Sequence, residues 1–176
     1  MNLKKINWLT LLIVVLLLFS CGGANSVDNF YNRHKDDSQV TAIRVPQTML
    51  TLLSGLSPEL QSIIGNTKDI RFMRFSGMTQ PRIQSINEQM NSLTTSSFIE
   101  VYRKNDELKR NVVSIREKRN TVKEILVYNN DNVNATLLYF NGNFDPQKVR
   151  NLAQNEQLNG ISDNLFQQFK GPSISE

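Results

Sequence analysis

"FIEVYRKNDELKRNVVSIREKRNTVKEILVYNNDNVNATLLYF", residues 98–140, decides the fold. Apolar residues recur here with period two, the period at which side chains of a strand change face. Four segments carry the pattern: "FIEVYRK", "RNVVSIRE", "VKEILVY" and "VNATLLYF". The links between them, "NDELK", "KRNT" and "NNDN", are short, polar and rich in Asn and Asp, which suits tight hairpins. The pattern predicts an antiparallel four-stranded meander. One face is expected to carry Ile99, Val101, Val113, Ile115, Ile125 and Val127, with Ile99, Val113, Ile125 and Val127 buried. The other face is expected to carry Glu100, Ser114, Arg116 and Glu124. One apolar and one polar face predicts helices over one side of the sheet and water on the other.

Outward from this stretch, "NFDPQKVRNLA" (143–153) predicts a helix. Asp145 is its N-cap, Pro146 its first residue, and Val149 and Leu152 face inward. After Ala153 the chain turns rich in Gln, Asn and Gly, and residues 154–176 read as a weakly structured C-terminal tail. Toward the N-terminus, "QVTAIRV" (39–45) and "DIRFMRFSG" (69–77) read as strands. "VDNFYNRHKDD" (27–37) reads as a short helix capped by Ser26 or Asp28. Met49, Leu50, Leu52, Leu53 and Leu56 have helical spacing. Ser57, Pro58 and Gly65 bracket another helix. "TQPRIQSINEQMNSL" (79–93) aligns Ile83, Ile86, Met90 and Leu93 on one helical face. Residues 28–153 are therefore expected to form one α+β domain. Its antiparallel four-stranded meander is extended by N-terminal strands, and its helices pack on one face.

The first residues have a different character. "MNLKK" is basic, and Ile6 to Phe19 is uncharged and mostly apolar. An apolar core of about 12 residues is too short to span a bilayer, which takes roughly 20. A basic start, a short apolar core and small residues describe a signal peptide over residues 1–20. Leu18-Phe19-Ser20-Cys21 closes the segment and resembles the lipobox of bacterial lipoproteins. That resemblance implies diacylation of Cys21, cleavage before it, and acylation of the new amino terminus. Several acyl chains make a stable anchor where one does not, at about 0.8 kcal/mol per buried CH₂. Residues 21–27 would be the lipidated cysteine and a short tether, which extends at most about 20 Å. The expected location is the cell envelope, at the outer membrane facing the periplasm. Gly22-Gly23 lacks the Asp that retains some lipoproteins at the inner membrane. Cys21 is the single cysteine of the chain, so no intramolecular disulfide can form.

Charge narrows the function classes. Loss of Lys4 and Lys5 with the signal lowers 20 basic residues to 18, against 16 acidic, a net of about +2. Such a mild excess on an exported chain does not indicate nucleic-acid binding. No phosphate-cradling glycine loop and no nucleophile elbow is present. His34 in "YNRHKDD" is the one histidine and reads as part of a solvated helix end, without the partners of a metal site. No cofactor and no catalytic residue is expected. Arg103, Lys104, Lys109 and Arg110 cluster around one hairpin, and Arg116, Lys118 and Arg119 around the next. The first group is the expected contact with an acidic lipid or protein. The reading is a non-enzymatic binding or sensory module, with an envelope protein or lipid as partner and the membrane held through Cys21. Its rival is a carrier of an apolar ligand, in a cavity lined by Leu52, Ile63, Ile86, Met90, Ile125 and Leu138.

The chain resembles the bacterial lipoprotein family known as domain of unknown function 4252. Phe30-Tyr31, the strand around "TAIRV", and the four-strand run closing on Gly142-Asn143-Phe144-Asp145 carry the resemblance. It implies a short lipoprotein with a link to envelope-stress signalling, and it transfers no catalytic residue.

Overall fold

The computed structural model describes residues 26–46, 61, 63, 65–95, 97–106 and 109–158. The expected signal peptide, Cys21 and its tether to Asn25, most of the two helices expected over 47–65, and residues 159–176 of the tail lie outside them.

The described residues form an α+β domain built on one open antiparallel sheet. In chain order the elements are α1 (Val27–His34), β1 (Val40–Val45), β2 (Thr67–Phe75), α2 (Gln80–Thr95), β3 (Ile99–Asp106), β4 (Lys109–Lys118), β5 (Thr121–Asn130), β6 (Ala135–Phe144) and α3 (Pro146–Gln154). The six strands lie in the order β1-β2-β6-β5-β4-β3. Strands β3 to β6 pair successively as a meander. Strand β2 then adds beside β6, and β1 beside β2.

Local chemistry sets the element ends. Ser26 caps α1, its Oγ accepting from Asn29 N at 3.2 Å. Asp145 caps α3, accepting from Gln147 N at 2.9 Å and Lys148 N at 3.0 Å, and Pro146 follows it. Each such cap supplies an acceptor that the first helical turn cannot find within itself. The β4–β5 turn places Arg119 at φ 51° and Asn120 at φ 59°, the left-handed pair of a two-residue hairpin.

The expectation of helices on one face is corrected. Helices cover both faces. On one side α3 and Ile63 close a core of Ile70, Phe72, Val113, Ile115, Ile125, Val127, Leu138 and Phe140. On the other, α1 and α2 close a second core of Met73, Phe75, Leu126, Tyr128, Leu137 and Tyr139. Strands β2, β5 and β6 hold apolar side chains at neighbouring positions, so both of their faces leave water. Ser114, expected on the wet face, is buried. Ile83, Ile86, Met90 and Leu93 of α2 are all buried, as their spacing predicts. Each full burial of this kind contributes about 1.5–3 kcal/mol.

Ile99 is a second correction. Val113, Ile125 and Val127 are wholly buried, but Ile99 is 53% exposed. It begins the edge strand β3, which has one neighbour, and a bulge between Glu100 and Tyr102 shifts the register just after it. Val101, at the bulge, and Tyr102, just beyond it, are the β3 residues that reach the α3-side core. At the C-terminal end this core extends to Leu158, also fully buried, past the boundary expected at 153.

Candidate functional site

Polar side chains line a cleft at the end of the sheet beside the β5–β6 turn. On the α3 side, Phe72, Leu138, Val127 and Val113 stand opposite one another as a buried apolar row. Two residues further along each strand the row becomes polar: Arg74 faces Thr136, Thr136 faces Asn129, and Asn129 faces Asn111. Alternation keeps these four on the same face as the apolar row. They line a cleft of about 300 Å³ together with Lys109 and the β5–β6 turn. A smaller cleft of about 120 Å³ adjoins it, sharing Lys109 and Asn130 and adding Arg110, Asn87 and Asn132.

The turn that borders both clefts is tied in place. Asp131 Oδ1 accepts from Asn134 N at 2.7 Å and from Val133 N at 3.1 Å. Asn132 is left-handed (φ 66°), and its N–H donates to Asn130 Oδ1 at 2.8 Å. Met78 N donates to Val133 O at 2.7 Å, which joins the turn to the start of α2. Burial acts to raise the Asp131 carboxyl. The backbone N–H groups of Asn134 and Val133, with the charge of Arg74, outweigh it and hold that carboxyl below its usual value. Beneath the turn, Tyr128 O–H donates to Asn87 Oδ1 at 2.9 Å and accepts from Asn130 Nδ2 at 3.1 Å. Burial pushes this phenol up to about 12.

The four basic residues expected as an acidic contact do not share one environment. Arg103 grips Glu100 of its own strand, Nε to Oε1 at 2.7 Å. Lys104 Nζ lies 2.8 Å from Glu156 Oε1, which also accepts from Tyr102 O–H at 2.8 Å. Arg110 reaches Asn91 on α2, and its guanidinium lies 6.0 Å from the Tyr128 ring centroid. Lys109 alone of the four lines the larger cleft.

His34 is not solvated. It is 4% exposed, with its ring against Phe30 and Phe75 at centroid distances of 4.8 and 5.6 Å. Nδ1 lies 2.9 Å from Asp37 Oδ2, and Nε2 lies 2.9 Å from Gln89 Oε1 on α2. Arg82 also binds Asp37. Asp37 and Arg82 border a further cleft of about 380 Å³ with Val40, Phe75 and Met78. Hydrogen bonding from His34, then from Arg82, outweighs desolvation and holds the Asp37 carboxyl below its ordinary value. Among the described residues, no group of three His, Cys, Asp or Glu is placed to hold a metal. No described helix is long and apolar enough to cross a membrane.

Arg71 is buried. It lies 2.6 Å from Asp28 and 2.8 Å from Asp69, with the rings of Tyr31 and Tyr139 each 5.6 Å from its guanidinium. The lining expected for an apolar carrier is corrected. Ile63, Ile125 and Leu138 belong to the α3-side core, and Ile86 and Met90 to the other, so the sheet separates them. Leu52 lies outside the described residues.

Fold and clefts together define an α+β domain with an open six-stranded antiparallel sheet, covered by helices on both faces and polar at its hairpin end. The chain belongs to the family described as Domain of unknown function (DUF4252), whose model matches residues 31–152. No curated protein matches the chain.

Proposed function

We propose that this chain is a lipoprotein of the cell envelope and works as a non-enzymatic binding module. Lipid on Cys21 holds it to the outer membrane, facing the periplasm, and its hairpin end receives an acidic partner as a step in envelope-stress signalling. The observation that supports a binding role is the polar cleft over Arg74, Thr136, Asn129 and Asn111, with Lys109 at its margin. A second polar row, Asp69, Asn141, Glu124 and Arg116, crosses the other end of the sheet, where Arg116 pairs with Glu124 and Asp69 with Arg44 and Arg71. Arg103 and Lys104 are engaged with Glu100 and Glu156, which leaves Lys109 as the member of the basic group that faces the cleft.

The test expresses the full chain in its own envelope with an alkyne fatty acid, then recovers crosslinked partners for mass spectrometry. Wild type should carry the acyl label and fractionate with the outer membrane, and Cys21→Ser should lose both. Lys109→Gln should reduce partner recovery, and Arg103→Gln should not. Label retained on Cys21→Ser overturns the anchor. Partner recovery unchanged in Lys109→Gln overturns the assignment of the hairpin end.

A further inference from the structure

The chemistry of the 300 Å³ cleft narrows what it can hold. Of the described side chains that line it, only Ala135 is apolar and none is aromatic. An acyl chain or a stacked base would meet no suitable surface there. Arg74 and Lys109 supply donors and positive charge and cannot accept, which matches anionic oxygens. Asn111, Asn129 and Thr136 both donate and accept, which matches hydroxyl groups. The acidic residue in the lining, Asp131, has Oδ1 occupied by the two N–H groups of its own turn. Its charge stands against those of Arg74 and Lys109, so the described lining keeps one net positive charge.

A second observation comes from the wall itself. Asn129 Oδ1 is buried and finds no donor among the described residues. Asn129 sits between Thr136 and Asn111 in the polar row, at the middle of the cleft floor. The volume, about 300 Å³, is at the lower end of the range for small-molecule sites, about 300–1,000 Å³.

We infer that this cleft binds a phosphate ester carried on a small hydroxylated skeleton, with Arg74 and Lys109 on the phosphate and Asn111, Asn129 and Thr136 on the hydroxyls. The inference rests on the reading of the hairpin end as the binding face and names the ligand class for it. The same chemistry occurs in a soluble sugar or glycerol phosphate and in the headgroup of an anionic lipid.

The experiment uses the full chain in neutral detergent, titrated with glycerol 3-phosphate and, separately, with glycerol. Amide signals of Asn111, Asn129 and Thr136 should shift with glycerol 3-phosphate, and glycerol should bind at least roughly tenfold more weakly, as expected for lost charge-assisted hydrogen bonds. Lys109→Gln and Arg74→Gln should each weaken binding about tenfold, and Arg103→Gln should leave it unchanged. Lys109→Gln changes a cleft-margin side chain and should fold normally, so it remains informative if Arg74→Gln does not fold. In a parallel arm, the chain is reconstituted with vesicles containing phosphatidylglycerol or only phosphatidylcholine. Signal shifts at the same three residues with phosphatidylglycerol alone assign the ester to a lipid headgroup, and shifts only with soluble ester assign it to a free molecule. No shift with either ester, or equal binding of glycerol, overturns the inference. Acylation at Cys21 and partner recovery that depends on Lys109 would survive that failure, so the two readings fail separately.

Discussion

His34 Nε2 on α1 and Gln89 Oε1 on α2 lie 2.9 Å apart although 55 residues separate them in the chain. The other ring nitrogen faces Asp37 at 2.9 Å, so one imidazole joins α1, the loop after it and α2. The single histidine is therefore a structural tie on the α1–α2 side of the sheet. His34→Ala removes a buried ring and its hydrogen bonds to Asp37, which keeps Arg82, and to Gln89, which keeps Arg33. A loss of about 2–3 kcal/mol is expected, from the cavity and the lost hydrogen bonds. Thermal or urea unfolding of the variant measures it, and a change below about 0.5 kcal/mol would contradict the tie.

The same cluster sets a pH dependence. The Asp37 carboxyl is held below its ordinary value in the fold, by His34 first and Arg82 second. A depressed carboxyl contributes stability that is fully present above its unfolded value, about pH 4, and is lost as pH falls through the folded value. The stability difference between wild type and Asp37→Asn should therefore be constant from about pH 5 to 6 and shrink below about pH 4. Urea midpoints across that range decide it. A difference that grows toward low pH would give the wrong sign.

Arg71 makes a contrasting prediction, because its two carboxylate partners differ in exposure. Asp69 is 17% exposed and is shared with Arg44 at 2.9 Å, and Asp28 is 70% exposed. Arg71→Met keeps much of the side-chain volume between the two tyrosines but removes the charge. Asp69 retains Arg44, so the cost should be about 2–3 kcal/mol, below the 3–5 kcal/mol of a fully abandoned buried charge. Asp28→Asn should cost less than about 1 kcal/mol, as exposed pairs do. Equal costs for the two variants would show that burial does not separate the partners.

These contacts explain where sequence reading stops. Period-two segments, Asn- and Asp-rich links and the Asp145-Pro146 start of α3 are local signals, and the strands and that helix follow from them. The second buried face was hidden in the same strands. "EILVY" and "TLLYF" place apolar residues at successive positions, so Leu126, Tyr128, Leu137 and Tyr139 needed a second cover that alternation did not announce. The continuous apolar runs are themselves the signal of a doubly covered strand. The polar cleft depends on register: Arg74, Asn111, Asn129 and Thr136 meet only because β2 inserts beside β6 and β6 beside β5. Arg71 and His34 are polar residues whose burial is decided by partners far along the chain.

Gly142 is a position where no side chain fits. A Cβ there would lie 2.2 Å from Asn66 O and 2.7 Å from the Phe144 ring, against the backbone where β2 begins. Backbone cannot yield as the end of a flexible side chain does. Gly142→Ala should therefore cost about 2–4 kcal/mol, in the range of strained or overpacked core substitutions. At Gly65 the nearest atom to an added Cβ is 3.2 Å away, and Gly65→Ala should be much milder. Unfolding curves of the two variants test the contrast, and a Gly142→Ala protein as stable as wild type would mean that β2 and β6 do not approach as described.

The edge of the sheet gives the last test, because Ile99 and Val113 were expected to share one buried face and do not share one environment. Ile99 is 53% exposed at the start of β3, and Val113 is fully buried on β4. Ile99→Asp places a charge where water already reaches, so stability should change by about 0.5 kcal/mol or less. Val113→Asp buries a carboxylate beside Ile115 and Val127 in the α3-side core, with no cation among the described residues of that core. The cost of an unpaired buried charge is several kcal/mol, comparable to the whole stability of a domain of this size. Val113→Asp should therefore give a chain without a cooperative melting transition, and Ile99→Asp should melt within a few degrees of wild type. Circular dichroism melts of the two variants compare them directly. Unfolding of Ile99→Asp would place Ile99 in the core and remove the bulge at Glu100 and Tyr102 as the reason for its exposure.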